Sequence, residues 1–455
     1  MSLPNGPNTP IWLQNMQLMS NPFGYLDRMS QQYGDIFTTA FGKPTIFVSH
    51  PQGLKEIFTN TKEITAPGEF NQTAAPVVGN NGLLLLSGTR HRQHRKLVMP
   101  AFHGTRIQTY GHRICDLTLQ IFDRQAIGTC FTAYSAIETI TLEVILSIVL
   151  GLQAGDRYEQ FRQVLPPLLH LVNSPKFEVC LAFPALQRDL GKLAPWGYFQ
   201  QLRRQFDRLL EAEIDDRRQS KLERSDVLSE LLSTRDEAGQ PLSNEEVRDL
   251  LPSLLFAGQD ASATAVAWAL YWVHRLPMVR DRLLQELASL GNTPNPLKIA
   301  QLPYLSAVCN EVLRIYPTQM FTFPRRVESP VEVMGHLLPP GTLIIGNIHL
   351  THQRQDLYPE PNHFKPERFL ERQFSAYEFL PFGGGSRVCI GAALAIFEMK
   401  LILATILSHY QLTLADSRPE RPKRSGILFP PERGVKLIVT ERRSVPSQPS
   451  IASLT

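Results

Sequence analysis

The sequence has few cysteines for its length and no long uninterrupted apolar run. Its 455 residues include five cysteines, an odd number at wide spacings, which argues against a disulfide framework and favours a reducing, intracellular compartment. A membrane span needs about 20 mostly apolar residues. The nearest candidates, residues 140–152 and 250–273, carry Glu143 and Asp260. We therefore expect buried or amphipathic helices there and no transmembrane anchor.

A strong excess of charge and an N-terminal targeting signal are also lacking. The net charge of +4 is small for this length and argues against a nucleic-acid partner. The first residues, Met-Ser-Leu-Pro-Asn-Gly-Pro, do not combine a charged region with an apolar run, so no secretory signal is predicted. These features predict a soluble, cytoplasmic protein whose contact with membranes is at most peripheral.

Helical periodicity is the main pattern that is present. Apolar residues recur at spacings of three and four in residues 137–152, 198–214 and 305–316. Ser243 and Glu246 form a capping-box signal for a long helix that reaches about residue 274, in which Pro252 predicts a local distortion. Short strands are predicted at residues 36–40, 45–49, 331–333, 343–345, 412–414 and 436–439.

The domain organisation predicted from these patterns is simple. No internal repeat or Gly/Ser-rich linker divides the chain, so we expect one domain over residues 31–443, mainly α with small β-sheets. Residues 1–30 are rich in Pro and Asn and are predicted to wrap the surface of that domain. Residues 444–455 form a polar tail that we expect to be disordered.

The most specific feature is a glycine-rich segment around one cysteine, Phe382-Gly-Gly-Gly-Ser-Arg-Val-Cys-Ile-Gly391. It resembles the cysteine-ligand loop of the cytochrome P-450 family. The resemblance implies haem b, with the thiolate of Cys389 as the axial iron ligand, and places Phe382, Gly383 and Arg387 at the haem. It also implies the single-domain fold of that family, in which the haem lies between a long distal helix and the helix after the loop.

Elementary chemistry agrees with this pattern. An iron-bound thiolate carries dense negative charge, and glycines let backbone N–H groups approach the sulfur and tune its electron donation. Phe382 can shield the sulfur from water, and Arg387 can pair with a haem propionate. For an isolated cysteine a buried structural role would be the usual alternative. A zinc site would need a second Cys or His at ligand spacing, which the neighbouring sequence lacks.

A Glu-x-x-Arg pair supports the resemblance. Glu311 and Arg314 are three residues apart and share a helix face, which alone would indicate a surface ion pair worth roughly 0–1 kcal/mol. The later segment Pro361-Asn-His-Phe-Lys-Pro-Glu-Arg-Phe369 changes that interpretation. Together the two segments resemble the family's Glu-Arg-Arg triad, here Glu311, Arg314 and Arg368, whose implied role is structural.

A basic cluster offers candidate ligands for the haem propionates. His91 and Arg95 resemble the propionate-binding pair of the family's C-helix, with His where many members have Trp; a solvated basic face is the alternative. Arg325 has the family spacing for a further propionate ligand, and Arg326 is its rival. The other charges of the cluster are expected to face solvent and to attract an acidic electron donor: Arg92, His94 and Lys96.

The middle of the long helix contains Ala257-Gly-Gln-Asp-Ala-Ser262. It resembles the family's oxygen-activation segment, which implies that Gly258 leaves room for dioxygen and that Asp260 relays protons. An unspecialised charge on a helix face is the alternative for Asp260. The usual Thr after the acid is Ala261, so Ser262, an ordered water or a polar group of the substrate must substitute. Thr264 is one turn from Asp260 and is a further candidate.

The substrate pocket is predicted from the resemblance by position. Its members are apolar, which suits a lipophilic substrate, although each could equally belong to the ordinary core. They are Phe70, Val77, Val78, Leu254, Leu255, Ala257, Ala261, Phe321, Phe323, Leu428 and Phe429.

The resemblance covers nearly the whole chain and is nearest to soluble cyanobacterial members that oxidise fatty acids, terpenes or other lipophilic compounds. It implies a monooxygenase that hydroxylates such a substrate with O2. No flavin or iron–sulfur motif is found, so electrons must come from separate proteins such as ferredoxin and its reductase. Ala261 keeps a peroxygenase or a peroxide isomerase or dehydratase as the alternative, and a non-catalytic haem sensor as a third interpretation.

Overall fold

The computed structural model describes residues 3–220, 224, 226–235, 239–291 and 295–443. The predicted disordered tail, residues 444–455, lies outside them. The α-helices are α1 (Ile11–Ser20), α2 (Pro22–Tyr33), α3 (Pro51–Thr59), α4 (Ala75–Val78), α5 (Gly88–Val98), α6 (Thr105–Thr109), α7 (Gly111–Phe122), α8 (Ala133–Leu150), α9 (Asp156–Val172), α10 (Pro175–Ala182), α11 (Pro195–Gln219), α12 (Val227–Ser233), α13 (Asn244–Arg275), α14 (Pro277–Ala288), α15 (Pro296–Ala300), α16 (Pro303–Ile315), α17 (Ile348–His352), α18 (Arg368–Glu371) and α19 (Ala392–His409).

Small sheets accompany the helices, as the sequence predicts. The strands are β1 (Ile36–Phe41), β2 (Lys43–Val48), β3 (Ile64–Thr65), β4 (Cys130–Thr132), β5 (Arg325–Val327), β6 (Val331–Val333), β7 (His336–Leu338), β8 (Leu343–Gly346), β9 (Tyr410–Leu414) and β10 (Lys436–Arg442). Within the described residues they form sheets in the orders β1-β2-β8-β5-β3, β4-β10-β9 and β6-β7. Each strand predicted from the sequence lies in one of these, and the mainly α fold class is confirmed.

The capping box at the start of α13 is formed as expected. The Glu246 N–H donates to Ser243 Oγ at 3.2 Å, and the Ser243 N–H donates to Glu246 Oε2 at 3.0 Å. The helix then continues through Pro252 without a break in its assignment and ends at Arg275, one residue beyond the expected end. It packs against α8 on one side and against α19 and α16 on others, so it crosses the centre of the core.

Two helices, α8 and α19, are long and apolar enough to cross a membrane by length and composition alone. Most residues of both are buried inside the fold. α8 packs against α13 and α7, and α19 packs against α7 and α13. Their apolar character is therefore accounted for by the helical core, the role predicted for residues 140–152.

The N-terminal segment does more than wrap the surface. The side chains of Tyr25 and Leu26 on α2 are buried and belong to a small aromatic and aliphatic core with Phe37 and Phe47 of the first sheet. The Tyr25 hydroxyl and Thr39 Oγ1 are hydrogen-bonded at 2.5 Å. The first 30 residues thus contribute packing to the sheet, and the expected domain boundary near residue 30 stays a prediction.

The predicted triad is assembled and buried. Arg314 donates from Nε and Nη2 to the two carboxylate oxygens of Glu311, at 2.7 and 2.8 Å. Arg368 Nε donates to Glu311 Oε1 at 3.1 Å, and the Lys365 N–H donates to the same oxygen at 2.8 Å. Arg314 also donates to the carbonyl of His352 at 3.0 Å. These bonds tie α16 to α17 and to the segment before α18, and they exclude the surface ion pair.

Removing the shared carboxylate should cost much stability. In Glu311→Gln two buried guanidinium groups lose their counter-charge, so we expect the free energy of unfolding to fall by at least about 3 kcal/mol in denaturant titrations. The matched control is Glu159→Gln, because Glu159 pairs with Arg162 three residues later on an exposed face of α9. That variant should lose less than about 1 kcal/mol. Equal losses in both variants would contradict a structural role for the triad.

Candidate functional site

The cysteine loop turns back on itself just before α19. The Gly383 N–H donates to the Leu380 carbonyl, and the Cys389 N–H donates to the Phe382 carbonyl, both at 2.9 Å. Gly383 has a positive φ of 72°, a conformation that side chains rarely adopt. At Gly384, an added Cβ would lie 2.3 Å from the Phe58 ring. The glycines are therefore required by the turn and by close packing against α3.

The sulfur of Cys389 is accessible yet surrounded by protein. Cys389 is one of the exposed cysteines of the described chain. The protein atoms around its thiol nevertheless raise the pKa of the thiol by desolvation. The Gly391 N–H donates to the sulfur, and this bond and the positive charge of Arg95 lower that pKa. The predicted amide donor is thus in place. Such donors stabilise the thiolate form, which is the form that binds a metal.

Cys389 is a single protein ligand, which fits a metal whose other ligands belong to a cofactor. Among the described residues, no group of three or more His, Cys, Asp and Glu side chains could hold a metal ion. A zinc-type site is therefore not formed around Cys389 in the described chain. One accessible sulfur with an amide donor fits the iron of a haem, whose porphyrin supplies the other nitrogen ligands.

Three arginines near the loop, Arg95, Arg325 and Arg387, carry positive charge without an acidic partner in the described part of the chain, and His91 lies beside them. Burial, followed by Arg387 and Arg95, lowers the pKa of His91 to about 4. Burial alone lowers the pKa of Arg325 to about 10. Burial, followed by Arg325 and Arg95, lowers the pKa of Arg387 to about 10. Buried cations need counter-charge, so this cluster fits the propionates of a haem.

Arg325 and its rival Arg326 have different surroundings. Arg325 is 2% exposed, donates from Nη2 to the Gly384 carbonyl at 2.7 Å and so contacts the cysteine loop. Arg326 is partly exposed and pairs with Glu69 and Glu328. The structure therefore favours Arg325 as the propionate ligand. Arg387 donates to the carbonyls of Ala66, Leu83 and Leu86, which anchor it beside the same cluster.

One expectation for the basic cluster is wrong. His94 was expected to face solvent, but it is buried, and its Nδ1 lies 2.9 Å from the Arg90 carbonyl one turn earlier. On α5 the positions of His91 and His94 share the inward face, while Arg92 and Lys96 are exposed as predicted. Arg95 lies between these two faces, half-buried.

The middle of α13 keeps accessible surface on part of its circumference. Ala257 is exposed, Leu254 and Ala261 are half-buried, as are Ser253, Phe256 and Gly258, whereas Gln259 and Asp260 are buried. Leu254, Ala257 and Ala261 are three and four positions apart and form one apolar stripe along this helix. The position expected to hold an alcohol, Ala261, is part of this apolar face.

Two residues of α13 with predicted roles have close neighbours on other helices. A Cβ at Gly258 would lie 2.6 Å from Cδ1 of Ile145, so this glycine allows α8 to approach. The Ser262 hydroxyl faces the carboxyl of Glu398 on α19 and lowers its pKa. These neighbours follow from the direction in which each position faces around the helix, and the roles of Gly258 and Ser262 stay predictions.

Glu398 is a site neighbour that the sequence analysis missed. It lies within the apolar run of α19, and burial raises the pKa of its carboxyl to about 8, with the Ser262 bond acting in the opposite direction. A lone acid in an apolar helix was the signal that could have found it. Thr264 is also engaged, because its hydroxyl donates to the Asp260 carbonyl at 2.8 Å.

Asp260 is buried and only partly satisfied. Its Oδ2 accepts from Asn173 Nδ2 at 2.6 Å, while Oδ1 has no hydrogen-bond partner in the described structure. Burial is the main cause that raises its pKa to about 6, followed by the negative charge of Glu138. A carboxyl with this pKa exchanges protons near neutral pH, as a proton relay requires.

The predicted pocket residues fall into groups with different surroundings. Leu254, Ala257, Ala261, Phe70, Phe321 and Phe323 keep accessible surface, whereas the others are buried. Val77, Val78 and Leu255 lie in the main helical core, Phe429 packs against Phe23, and Leu428 is buried in the preceding turn. Phe321 is half-buried and packs against Phe41 and Phe47. The membership of the pocket stays a prediction.

Comparisons with known proteins agree with this geometry. The cytochrome P-450 family model matches residues 4–438. A Mycobacterium tuberculosis protein provisionally named cytochrome P-450 135B1 is 33% identical over 451 residues, covering 98% of this chain and 93% of the relative. Cytochrome P-450 138 of the same species, also named provisionally, is 29% identical over 446 residues, covering 97% of each chain.

A solved structure gives the same result for the fold. The structure described as retinoic acid bound cyanobacterial CYP120A1 superimposes with a TM-score of 0.83 at 26% sequence identity, covering 97% of this chain and 100% of the other. The family fold implies a haem iron held by the cysteine thiolate, O2 as oxidant and external electron-transfer partners. The chain therefore belongs to the cytochrome P-450 family of haem-thiolate monooxygenases.

Proposed function

We propose that this enzyme hydroxylates a lipophilic small molecule, such as a fatty acid or a terpenoid, with electrons from an external donor such as ferredoxin and its reductase. The observation that carries the proposal is the accessible stripe of Leu254, Ala257 and Ala261 on α13, which presents only apolar groups. An apolar surface binds substrates mainly by removing hydrocarbon from water. Retinoic acid, named with CYP120A1, is a lipophilic ligand of this kind.

The haem, when bound, supplies an iron centre that activates O2 with electron donation from the axial sulfur. The chain's part is to hold and tune that group. Cys389 supplies the sulfur, and the Gly391 N–H moderates its basicity. Arg95, Arg325, Arg387 and neutral His91 would bind the propionates and so hold the haem.

Asp260 is the residue that we propose to move protons. Its Oδ2 is held by Asn173, so the free Oδ1 is the atom that takes up and releases the proton. We propose smaller catalytic roles for three neighbouring residues, because each is engaged in packing or in another interaction: Ser262, Thr264 and Gly258.

The proposed electron donor is an acidic protein. Arg92 and Lys96 are exposed on α5, the same helix that carries His91 and Arg95 toward the haem cluster. Positive charge at this surface would speed the encounter with a negatively charged ferredoxin at low ionic strength. We place the enzyme in the cytoplasm, where both the reduced cysteines and such a donor are expected.

A peroxide-dependent reaction is the second candidate, and position 261 is the observation that favours it. The accessible face of α13 carries Ala261, and the nearest alcohols, Ser262 and Thr264, bond to Glu398 and to the Asp260 carbonyl. Without an alcohol at position 261, protonation of activated oxygen would depend on water or on the substrate. An enzyme that uses or rearranges peroxides avoids part of that requirement.

Cys389 should be required for the haem-thiolate spectrum. Reduced, CO-treated holoprotein should show a red-shifted thiolate-type Soret band, and Cys389→Ala should lose it because the axial sulfur is absent. Cys130→Ala is the matched control, since Cys130 is the other exposed cysteine of the described chain. A wild-type protein without the band, or a Cys389→Ala variant that keeps it, would contradict the assignment.

Lipophilic probes should shift the haem spectrum to high spin and be hydroxylated only when reductase and NAD(P)H are present. Retinoic acid and lauric acid are suitable probes, and product is measured by mass spectrometry. Product formed with peroxide alone, at a rate that reductase and NAD(P)H do not increase, would favour the second candidate. Binding of hydrophilic analogues with similar affinity would contradict the proposed substrate class.

Asp260→Asn should slow product formation by about 100-fold, because the relay loses its titratable oxygen. In the wild type the acid form donates the proton, so a rate limited by this step should fall as pH rises above about 6, the raised pKa of Asp260. The variant should lose that pH dependence but keep the thiolate band. Asp281→Asn, at an exposed carboxylate on α14, serves as the control. An unchanged rate in Asp260→Asn would remove this residue from the relay.

A further inference from the structure

A hydrogen-bonded pair of side chains joins α8 to the end of α9 that also contacts Asp260. His170 Nε2, near the end of α9, is 3.1 Å from Glu138 Oε1 on α8. Asn173, the residue that caps the C-terminal end of α9, holds Asp260 Oδ2. The same end of α9 therefore contacts Asp260 directly and Glu138 through His170.

Exposure falls along this series of groups. The side chain of His170 is 64% exposed and that of Glu138 is 14% exposed, while Asp260 is buried. A titratable group in contact with bulk water is thus followed by one that is nearly enclosed and then by one inside the core. Such a series is the arrangement needed to bring a proton to a carboxyl that water reaches poorly.

The three groups also interact by charge. The negative charge of Glu138 raises the pKa of Asp260, and the positive charge of His170 lowers it. The hydrogen bond to Glu138 is the main cause that raises the pKa of His170, with Asp260 contributing as well. Tyr134, one turn before Glu138 on α8, also faces Asp260 and bonds to Thr264. Protonation of any one member therefore changes the others.

We propose that His170 and Glu138 form the route by which protons from bulk water reach Asp260, an inference that rests on the proposed role of Asp260. The N–H bond at His170 Nε2 breaks as an O–H bond forms at Glu138 Oε1. The Glu138 O–H bond then breaks as a bridging water molecule takes that proton and passes one of its own to Asp260 Oδ1, which has no hydrogen-bond partner in the described structure. The neutral imidazole takes its next proton from solvent, and no electrons move. Both residues act through Asp260 and touch no reacting atom.

Asn173 determines which oxygen of Asp260 receives the proton. Its Nδ2–H group occupies Asp260 Oδ2, so the incoming proton binds Oδ1, the buried oxygen without a partner in the described structure. Asn173 Oδ1 lies where a side chain at Gly426 would begin, 2.6 Å from the position of an added Cβ. The end of α9 is thus held between α13 and the turn that precedes Leu428.

The test compares Glu138→Gln and His170→Asn with the wild-type holoenzyme. Each should lower NAD(P)H-dependent product formation from a retinoic acid or lauric acid probe by about tenfold at about pH 8 and increase the solvent deuterium isotope effect. The loss should shrink toward about pH 6, because abundant hydronium can protonate Asp260 without the route. Infrared titration of the Asp260 carboxyl gives a measurement without turnover. Its pKa should fall in Glu138→Gln and rise in His170→Asn.

The chain offers a matched control in His363 and Glu360, an exposed pair with 3.3 Å between its ring nitrogen and carboxylate oxygen. His363→Asn and Glu360→Gln should change none of these measurements. Normal rates and isotope effects in both route variants would overturn the proposal, even if the infrared pKa shifts occur. A normal rate in Asp260→Asn would overturn the relay and the route together, while loss of the CO-bound thiolate band in the wild type would instead overturn the haem assignment.

Discussion

Holding a negatively charged sulfur inside the fold is the constraint on which the rest of this structure depends. Burial opposes the thiolate of Cys389, and the Gly391 N–H and Arg95 stabilise it. The backbone can deliver that amide only if the loop turns tightly, which explains the positive φ of Gly383 and the contact of Gly384 with Phe58. The local sequence of the loop is therefore a direct consequence of the chemistry at its sulfur.

The arginines near the loop also place charge inside the fold without a carboxylate partner in the described structure. Arg325 is buried and Arg387 half-buried among backbone carbonyls, without a described carboxylate to neutralise them. Such an arrangement lowers the stability of a protein that binds nothing there, because no opposite charge offsets the free energy of desolvating the arginines. It would become favourable if the two propionates of a haem bound there, and folding and cofactor binding would then be thermodynamically linked.

Sequence patterns predicted the parts of this protein that depend on local spacing. The cysteine loop, the Ser243 capping box and the triad on Glu311 each follow from residues at fixed offsets, and each is formed. The directions of side chains around α13 could not be predicted in the same way, because one position rotates a side chain by about 100°. Gly258 therefore faces Ile145 and Ser262 faces Glu398, choices set by where α8 and α19 pack.

The packing of α13 also decides where protons can enter. α8 and α19 occupy the faces that carry Gly258 and Ser262, and the accessible stripe presents only apolar groups. Asp260 faces the C-terminal end of α9, where Asn173 donates a hydrogen bond to it, and the negative charge of Glu138 on α8 acts on it. In the proposed function, the apolar stripe would face the substrate, and the polar side chains around Asp260 would supply protons from another side of the same helix. Such a separation would keep water away from the substrate while protons remain available.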